Sequence, residues 1–220
     1  MCFSASASFA VSSVLLVGGI AAVSKARKSS MVPFAAIPLL FSAQQFCEGF
    51  IWLSLKDPMY AAWNEAATNF FLVFAEVLWP AWVPLSIWLL ETDERRKKIL
   101  SVLVLIGVTA SVYLAYCLAN YQVTSAVADY HIKYDLDFPN YLMRFSSLFY
   151  IVPTVVPMFV SSVKRMFLLG SFNLISFLIS RFYFGEYVIS IWCFFAAAIS
   201  IVILYIVNNQ KFQPVSIEVN

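Results

Sequence analysis

Residues 33–55 read PFAAIPLLFSAQQFCEGFIWLSL, an apolar stretch interrupted near its middle by two amides, a thiol and a carboxylate. A helix needs roughly 20 mostly apolar residues to cross the hydrocarbon core of a bilayer, and this stretch is long enough. Because ionised side chains are unfavourable in hydrocarbon, Glu48 predicts a helix whose polar groups face other helices rather than lipid. The stretch therefore predicts a transmembrane helix that takes part in a larger bundle.

The composition of the whole chain is that of a membrane protein. Of the 220 residues, 62% are hydrophobic and only 12% are charged, whereas soluble domains carry about a quarter charged residues. The net charge of +2 is small and split among short clusters, which argues against a nucleic-acid-binding surface. The start, MCFSASASF, has no basic region, so no cleavable signal peptide is expected. We expect a multi-pass protein whose constant partner is the lipid bilayer.

Seven segments pass the length and composition test for transmembrane helices. The predicted fold class is all-α: a polytopic membrane helix bundle forming a single domain over residues 1–210, followed by a short cytoplasmic tail at 211–220. Because the sixth segment is short, a bundle of six helices remains open. The predicted segments are Ala5–Val23, Val32–Leu55, Ala66–Leu90, Ile99–Ala119, Tyr141–Ser162, Met166–Ser180 and Tyr187–Val207. The longest connection, residues 120–140, is expected to be a polar loop.

The basic residues predict how the bundle is oriented. Ten of the fourteen Lys and Arg residues lie on one side: Lys25, Arg27, Lys28, Arg95, Arg96, Lys97, Lys98, Lys164, Arg165 and Lys211. Because cytoplasmic loops carry an excess of Lys and Arg, this side is expected inside, with the amino terminus outside. The loop ETDERRKK at residues 91–98 mixes both signs and is expected to be a solvated turn on the inside.

Polar residues within the predicted helices gather towards the outer face. With a rise of 1.5 Å per residue, Glu48 comes out roughly 10 Å and Glu76 roughly 15 Å below the outer surface. Arg144 and Arg181 lie near the same face, so we expect Glu48 or Glu76 to pair with one of these arginines in an outward-facing polar pocket. The predicted ligand-binding residues are Gln44, Gln45, Glu48, Glu76, Arg144, Asn173, Arg181 and Glu186.

Three- and four-residue spacings place further polar groups on common helix faces. The polar stripes are Asn173, Ser176 and Ser180 in the sixth segment, and Glu186, Ser190 and Cys193 in the seventh. The first segment carries small residues at such spacings, Ser4, Ser8 and Ser12 with Gly18 and Gly19 further along. Small residues let helix backbones approach closely, so tight packing of the first helix is predicted. Polar groups of this kind can also serve only to join helices, and an arginine at a helix end can simply reach the headgroups.

The cysteine and histidine content excludes several function classes. The four cysteines, Cys2, Cys47, Cys117 and Cys193, show no C-x-x-C spacing and are expected to be ordinary small buried side chains rather than a disulfide or a metal site. The single histidine excludes zinc hydrolases with several histidine ligands and paired haem ligation. The last segment has no lysine for a retinal Schiff base. The sequence assigns no catalytic residue, metal or cofactor.

The opening MCFSASASF, together with PFAAIPLLFSAQQFCEGFIWL at residues 33–53, resembles a bacterial family of small integral membrane proteins classed as a domain of unknown function. Its members begin MCFSA and carry PFAxIPLLFxxQQxxEGxxWL in the second helix. The resemblance covers roughly the first quarter of the chain and implies a bacterial inner-membrane protein, but no activity. It implies these motif positions: Cys2, Phe3, Ser4, Gln44, Gln45, Glu48, Gly49 and Trp52.

Three functions remain open at this point. In the first, the pocket binds or transports a small molecule, ion or lipid: Glu48 and Glu76 bind a cation or proton, and Arg144 or Arg181 binds an anionic group. In the second, the protein is an intramembrane enzyme in which a glutamate is general acid or base towards lipid; the lack of histidines counts against it. In the third, the protein is a structural or accessory subunit whose polar groups only hold helices together.

Overall fold

The helices follow the apolar segments, with breaks at prolines and turns. In the computed structural model the described residues are 4–128 and 130–209, and the side chains of residues 140–147, 193–194 and 196–198 are not described. The helices among these residues are α1 (Ala5–Ser24), α2 (Val32–Ala35), α3 (Ile37–Lys56), α4 (Asn64–Leu72), α5 (Trp79–Leu90), α6 (Glu94–Asn120), α7 (Asn140–Val160), α8 (Met166–Tyr183), α9 (Val188–Phe194) and α10 (Ala196–Asn209).

Within residues 4–128 and 130–209, five continuous helical stretches are long and apolar enough to cross a membrane: Ala5–Ser24, Ser29–Lys56, Pro58–Leu90, Glu94–Asn120 and Met166–Tyr183. The sixth predicted segment, short in the sequence, is among them because its helix continues to Tyr183. Two further apolar stretches in the described part, Leu148–Val160 and Ile199–Asn209, are shorter. The structure thus has five helices of membrane length in the order predicted, and the count of seven spans stays a prediction.

A π-helix interrupts the third predicted span. Residues Val73–Leu78 form this π-helix between α4 and α5, and Pro80 follows it closely. Proline has no backbone N–H and its ring collides with the carbonyl four residues earlier, so an ordinary α-helical turn cannot run through this point. A wider turn relieves the collision, and such π segments occur often at functional sites. Glu76 lies in the middle of this segment.

The first helix packs closely on α3 through small residues, as predicted. The Ser12 hydroxyl donates to the Ser42 carbonyl at 2.9 Å, and the Ser42 hydroxyl donates to the Ser12 carbonyl at 2.7 Å. At Gly19, an added Cβ would lie 2.8 Å from the backbone nitrogen of Leu39. Only a glycine permits this approach, so the α1–α3 pair is held by backbone proximity and a reciprocal pair of hydroxyl bonds.

A β-hairpin replaces the polar loop expected at residues 120–140, and the fold is therefore not all-α. Strands β1 (Val123–Ala128) and β2 (His131–Leu136) are antiparallel. Ile132 and Tyr134 are buried and two residues apart, so both project from the same face of the strand. The Tyr134 ring stacks on Phe71 of α4 with ring centroids 4.8 Å apart. The hairpin forms because this alternating pattern covers one end of the helix bundle; we call this end the hairpin end.

At the opposite end of the bundle, Glu91 connects the turn between α5 and α6 to the residues after α7. The sequence predicted that Glu91 would lie in a solvated turn. Glu91 is only 2% exposed, and its carboxylate accepts hydrogen bonds from the Thr92 and Asp93 backbone N–H groups and from the N–H and hydroxyl of Ser162. Burial by itself raises the pKa of Glu91, but the bonds from Ser162, Asp93 and Thr92 outweigh it and leave the pKa below its usual value. Glu91 thus ties the α5–α6 turn to the end of α7.

Candidate functional site

A cavity of about 640 Å³ lies between the helices. Its described lining residues come from the π-helix and from α3, α5, α6, α7, α8, α9 and α10. Strand β2 and the short turn after α8 border it at the hairpin end, where Leu136 and Glu186 are among the lining residues. A cavity of this size is in the range that holds a small organic molecule.

The two ends of this cavity differ in polarity. Along α8, which runs towards the hairpin, the lining residues change from Leu169 to Arg181. Along the π-helix and α5, which run away from it, they change from Glu76 to Val83. Among the described lining residues, the charged Glu76, Arg181 and Glu186 therefore lie nearer to the hairpin than the apolar Val83 and Leu169 do. Such a shape suits an amphipathic molecule with its polar group towards the hairpin.

Several polar groups in the cavity wall already bond to each other. The indole N–H of Trp79 donates to the Gln44 side-chain oxygen at 2.8 Å. The Asn173 amide donates to the Thr154 carbonyl at 3.0 Å and accepts from the indole N–H of Trp192 at 3.1 Å. These bonds connect α3 to α5, and α8 to α7 and α9. They hold the wall in shape, because a buried polar group without a partner would destabilise the bundle.

Glu76 differs from these groups. Within the described part of the chain, its carboxyl takes part in no hydrogen bond and no ion pair, although it lines the cavity. The backbone beside it is fixed: the Tyr150 hydroxyl donates to the carbonyl of Ala75. In a π-helix that carbonyl would accept from the residue five positions on, which is Pro80 and has no N–H. Tyr150 supplies the missing donor and so fixes the turn that carries Glu76.

Arg181 also lines the cavity, at its polar end. Its side chain is exposed, and in the described residues it forms no ion pair. The carboxylate nearest along the chain, Glu186, pairs instead with Lys133 of the hairpin at 3.0 Å, and Lys133 also approaches Asp135 at 3.5 Å. The hydrogen bond with Glu186, and then the charges of Asp135 and Glu186, raise the pKa of Lys133. The Lys133–Glu186 pair joins β2 to the turn after α8.

Glu48 lies outside the cavity lining and is completely buried. Its two carboxylate oxygens accept from the Gln45 amide and from the Ser190 hydroxyl, each at 2.9 Å. The carboxylate therefore joins α3 to α9 in the half of the bundle near the hairpin. The side chain of Arg144 lies outside the described residues, so its predicted pairing stays a prediction. The described side chains show no ion pair between Arg181 and either Glu48 or Glu76.

The structure divides the predicted site residues other than Arg144, whose side chain is not described, into two groups. Those that line the common cavity are Gln44, Glu76, Asn173, Arg181 and Glu186. Gln45 and Glu48 form the separate buried pair. The sequence prediction missed the cavity roles of Trp79 and Trp192, although an indole N–H inside a helix bundle needs an acceptor and can be searched for on that ground.

Among the described residues, the thiols and the possible metal ligands form no second candidate site. Cys47 and Cys117 are free thiols, while Cys2 and the side chain of Cys193 are outside the description. Among the described residues, no three His, Cys, Asp or Glu side chains are grouped closely enough to hold a metal ion. The cavity is thus the candidate functional site in the described part of the chain.

Comparison with protein-family models gives a match over nearly the whole chain. The matching model is described as a family of unknown function (DUF6629), and it covers residues 1–217. This agrees with the resemblance seen in the first quarter of the sequence, while the quoted motif and the bacterial origin stay predictions. The search of curated proteins and the search of solved structures found no match.

Proposed function

We propose that this chain, which belongs to the DUF6629 family, is a multi-pass membrane protein that binds a small amphipathic molecule bearing a cationic group beside Glu76. One observation carries the proposal: the Glu76 carboxyl, without a partner in the described residues, faces a cavity that is apolar at its far end. A carboxylate removed from water needs a counter-charge or hydrogen-bond donors. A ligand that brings a cation meets this need.

The surface of the bundle supports a membrane location. Large apolar side chains point outwards along several helices; Val17 is 69% exposed, Leu105 67% and Ile201 71%. Contiguous apolar surface of this kind is unfavourable in water and normal in contact with lipid tails. With five helices of membrane length, the lipid bilayer is the proposed surrounding. The excess of basic residues at the end opposite the hairpin supports an orientation in which the hairpin end, and the polar end of the cavity, lie outside.

The shape of the cavity indicates what kind of cation it takes. A divalent metal ion takes about six oxygen ligands, whereas Glu76 is the only carboxylate lining the described cavity apart from Glu186, which pairs with Lys133. An organic ammonium needs one carboxylate and can place its apolar body towards Val83 and Leu169. The proposed ligand is therefore an amine with an apolar or aromatic body, rather than a bare ion.

Binding of this kind is the common first step of a transporter and of a sensor, and both fall within the proposal. The accessory-subunit alternative accounts for Glu48, which joins two helices through Gln45 and Ser190. It gives no reason for a carboxyl at Glu76 that joins nothing in the described part. The lipid-directed enzyme would require a second reactive group beside Glu76, and no observation favours one.

Binding of tryptamine, an aromatic amine, to the purified protein in lipid nanodiscs tests the proposal. We expect saturable binding to the wild type and affinity at least about 10-fold weaker in Glu76→Gln, because a charged hydrogen bond contributes roughly 1.5–3 kcal/mol. Glu65→Gln is the matched control: Glu65 is exposed, lies one element earlier on α4, and should leave the affinity unchanged. Equal affinities in the wild type and Glu76→Gln, or no saturable binding to the wild type, would exclude the proposal.

A further inference from the structure

The cavity carries a second charge that its walls do not neutralise. Arg181 lies at the polar end, in the same cavity as Glu76. Its natural partner by position would be Glu186, five residues further along, but that carboxylate is 3.0 Å from Lys133. Lys133 is held there by the hairpin, on a strand whose register with β1 is fixed. The hairpin thus pairs with the carboxylate nearest to Arg181 along the chain, and Arg181, a lining residue, has no ion-pair partner among the described side chains.

The described charges in the cavity therefore have a definite pattern. Among the described side chains, Glu76 supplies one acidic group and Arg181 one basic group, both without an ion-pair partner, and Glu186 pairs with Lys133 outside the cavity lining. A ligand bearing only a cation would satisfy Glu76 but leave Arg181 without a counter-charge. A ligand with both charges satisfies both residues at once, since each charge then lies opposite a residue of the other sign.

We propose that the ligand is a zwitterion: its ammonium group binds Glu76, its acidic group binds Arg181, and its apolar body extends towards Val83 and Leu169. This inference rests on the proposed function, because it uses the same cavity. The planar guanidinium can bind a carboxylate or a phosphate through two parallel hydrogen bonds. Two sources share this chemistry: a free amino acid with a large apolar side chain, and a lysophospholipid with an ethanolamine headgroup.

The test uses the whole protein in nanodiscs made of phosphatidylglycerol, so that no zwitterionic lipid is already present. Three probes are compared: tryptophan, lysophosphatidylethanolamine, and tryptamine, which has the same indole and amine as tryptophan but no carboxylate. Their affinities are measured for the wild type, for Arg181→Gln and for Lys164→Gln. Lys164 is an exposed basic residue between α7 and α8, at the end of the bundle opposite the hairpin end, and serves as the matched control.

We expect Arg181→Gln to weaken binding of tryptophan, of lysophosphatidylethanolamine, or of both by about 10-fold, and to change tryptamine binding by less than about 2-fold. The probe that shows the loss identifies the source, and Lys164→Gln should change neither. Zwitterion affinity that Arg181→Gln leaves unchanged, or a wild type that binds neither zwitterion, overturns the inference. If tryptamine binding still depends on Glu76 in that case, the proposed function stands alone; if tryptamine does not bind either, both fail.

Discussion

The hydroxyl of Tyr150 on α7 donates a hydrogen bond to the backbone carbonyl of Ala75 in the π-helix. Pro80 explains why this carbonyl is available, because the π-helical donor it would otherwise use is the missing proline N–H. One side chain on a neighbouring helix therefore stabilises an irregular turn, and the next residue in that turn is Glu76. The position of the cavity carboxyl depends on a contact between two helices.

Removing this hydroxyl should loosen the turn. We expect Tyr150→Phe to lower the free energy of unfolding by about 1 kcal/mol, because a buried carbonyl loses its donor. The same change should weaken tryptamine binding, since Glu76 follows Ala75 directly. Thermal unfolding and tryptamine titration in nanodiscs measure both effects. Tyr116→Phe, at an exposed tyrosine on α6, is the control; if both variants behave alike, the Tyr150 bond does not hold the turn.

Glu48 should act on stability rather than on ligand binding. Glu48→Gln places an amide where two donors, Gln45 and Ser190, now meet a carboxylate, so at least one of them loses its acceptor. We expect the unfolding free energy to fall by about 1–3 kcal/mol and tryptamine affinity to stay within about 2-fold of the wild type. A variant that folds as stably as the wild type but no longer binds tryptamine would place Glu48 in the site instead.

The bonds to Glu91 predict a pH dependence of stability. Its pKa in the folded protein lies below the usual value, so the ionised group stabilises the fold above the unfolded pKa of about 4.3. That stabilisation is lost as the pH falls through the lower, folded pKa. We expect Glu91→Gln to lower the melting temperature clearly at pH 7 and progressively less at pH values below about 4. Glu94→Gln, at the exposed first residue of α6, should show no such difference. A loss of melting temperature in Glu91→Gln that does not change with pH would contradict the assignment.

The proposed orientation can be tested with two matched cysteines. Thr124 lies exposed on β1 and Thr92 lies exposed in the α5–α6 turn, at opposite ends of the bundle. In intact cells, a membrane-impermeant maleimide should label Thr124→Cys above the background of the unmodified chain. It should reach Thr92→Cys only after the cells are permeabilised. The reverse labelling pattern would indicate the opposite orientation of the bundle, with the polar end of the cavity inside.

The helical part of the fold could be predicted because each span carries its own signal of length and hydrophobicity. The spacing of small residues such as Ser12 and Gly19 along α1 was also enough to predict that this helix packs closely against another helix. The hairpin was missed because its strands are short, and only β2 alternates clearly, with apolar Ile132, Tyr134 and Leu136 separated by polar residues. The burial of Ile132 and Tyr134 depends on Phe71, which comes more than fifty residues earlier in the chain.

The site was predictable in residue type but not in grouping. Both Glu48 and Glu76 stand out as carboxyl groups in apolar segments. Glu48 accepts hydrogen bonds from Gln45 and Ser190, whereas Glu76 lines a cavity. That difference depends on which helices are neighbours and on the π-helix before Pro80, neither of which spacing along one helix reveals. The ion pair between Glu186 and Lys133 likewise depends on a hairpin that was not predicted from the sequence.

The proposed binding site is best tested by a structure of the protein in lipid with tryptamine bound. We expect ligand density in the cavity, with the ammonium within hydrogen-bonding distance of the Glu76 carboxyl and the indole extending towards Val83. Density only on the lipid-facing surface, or a cavity whose walls close and pair Glu76 with a protein side chain, would contradict it.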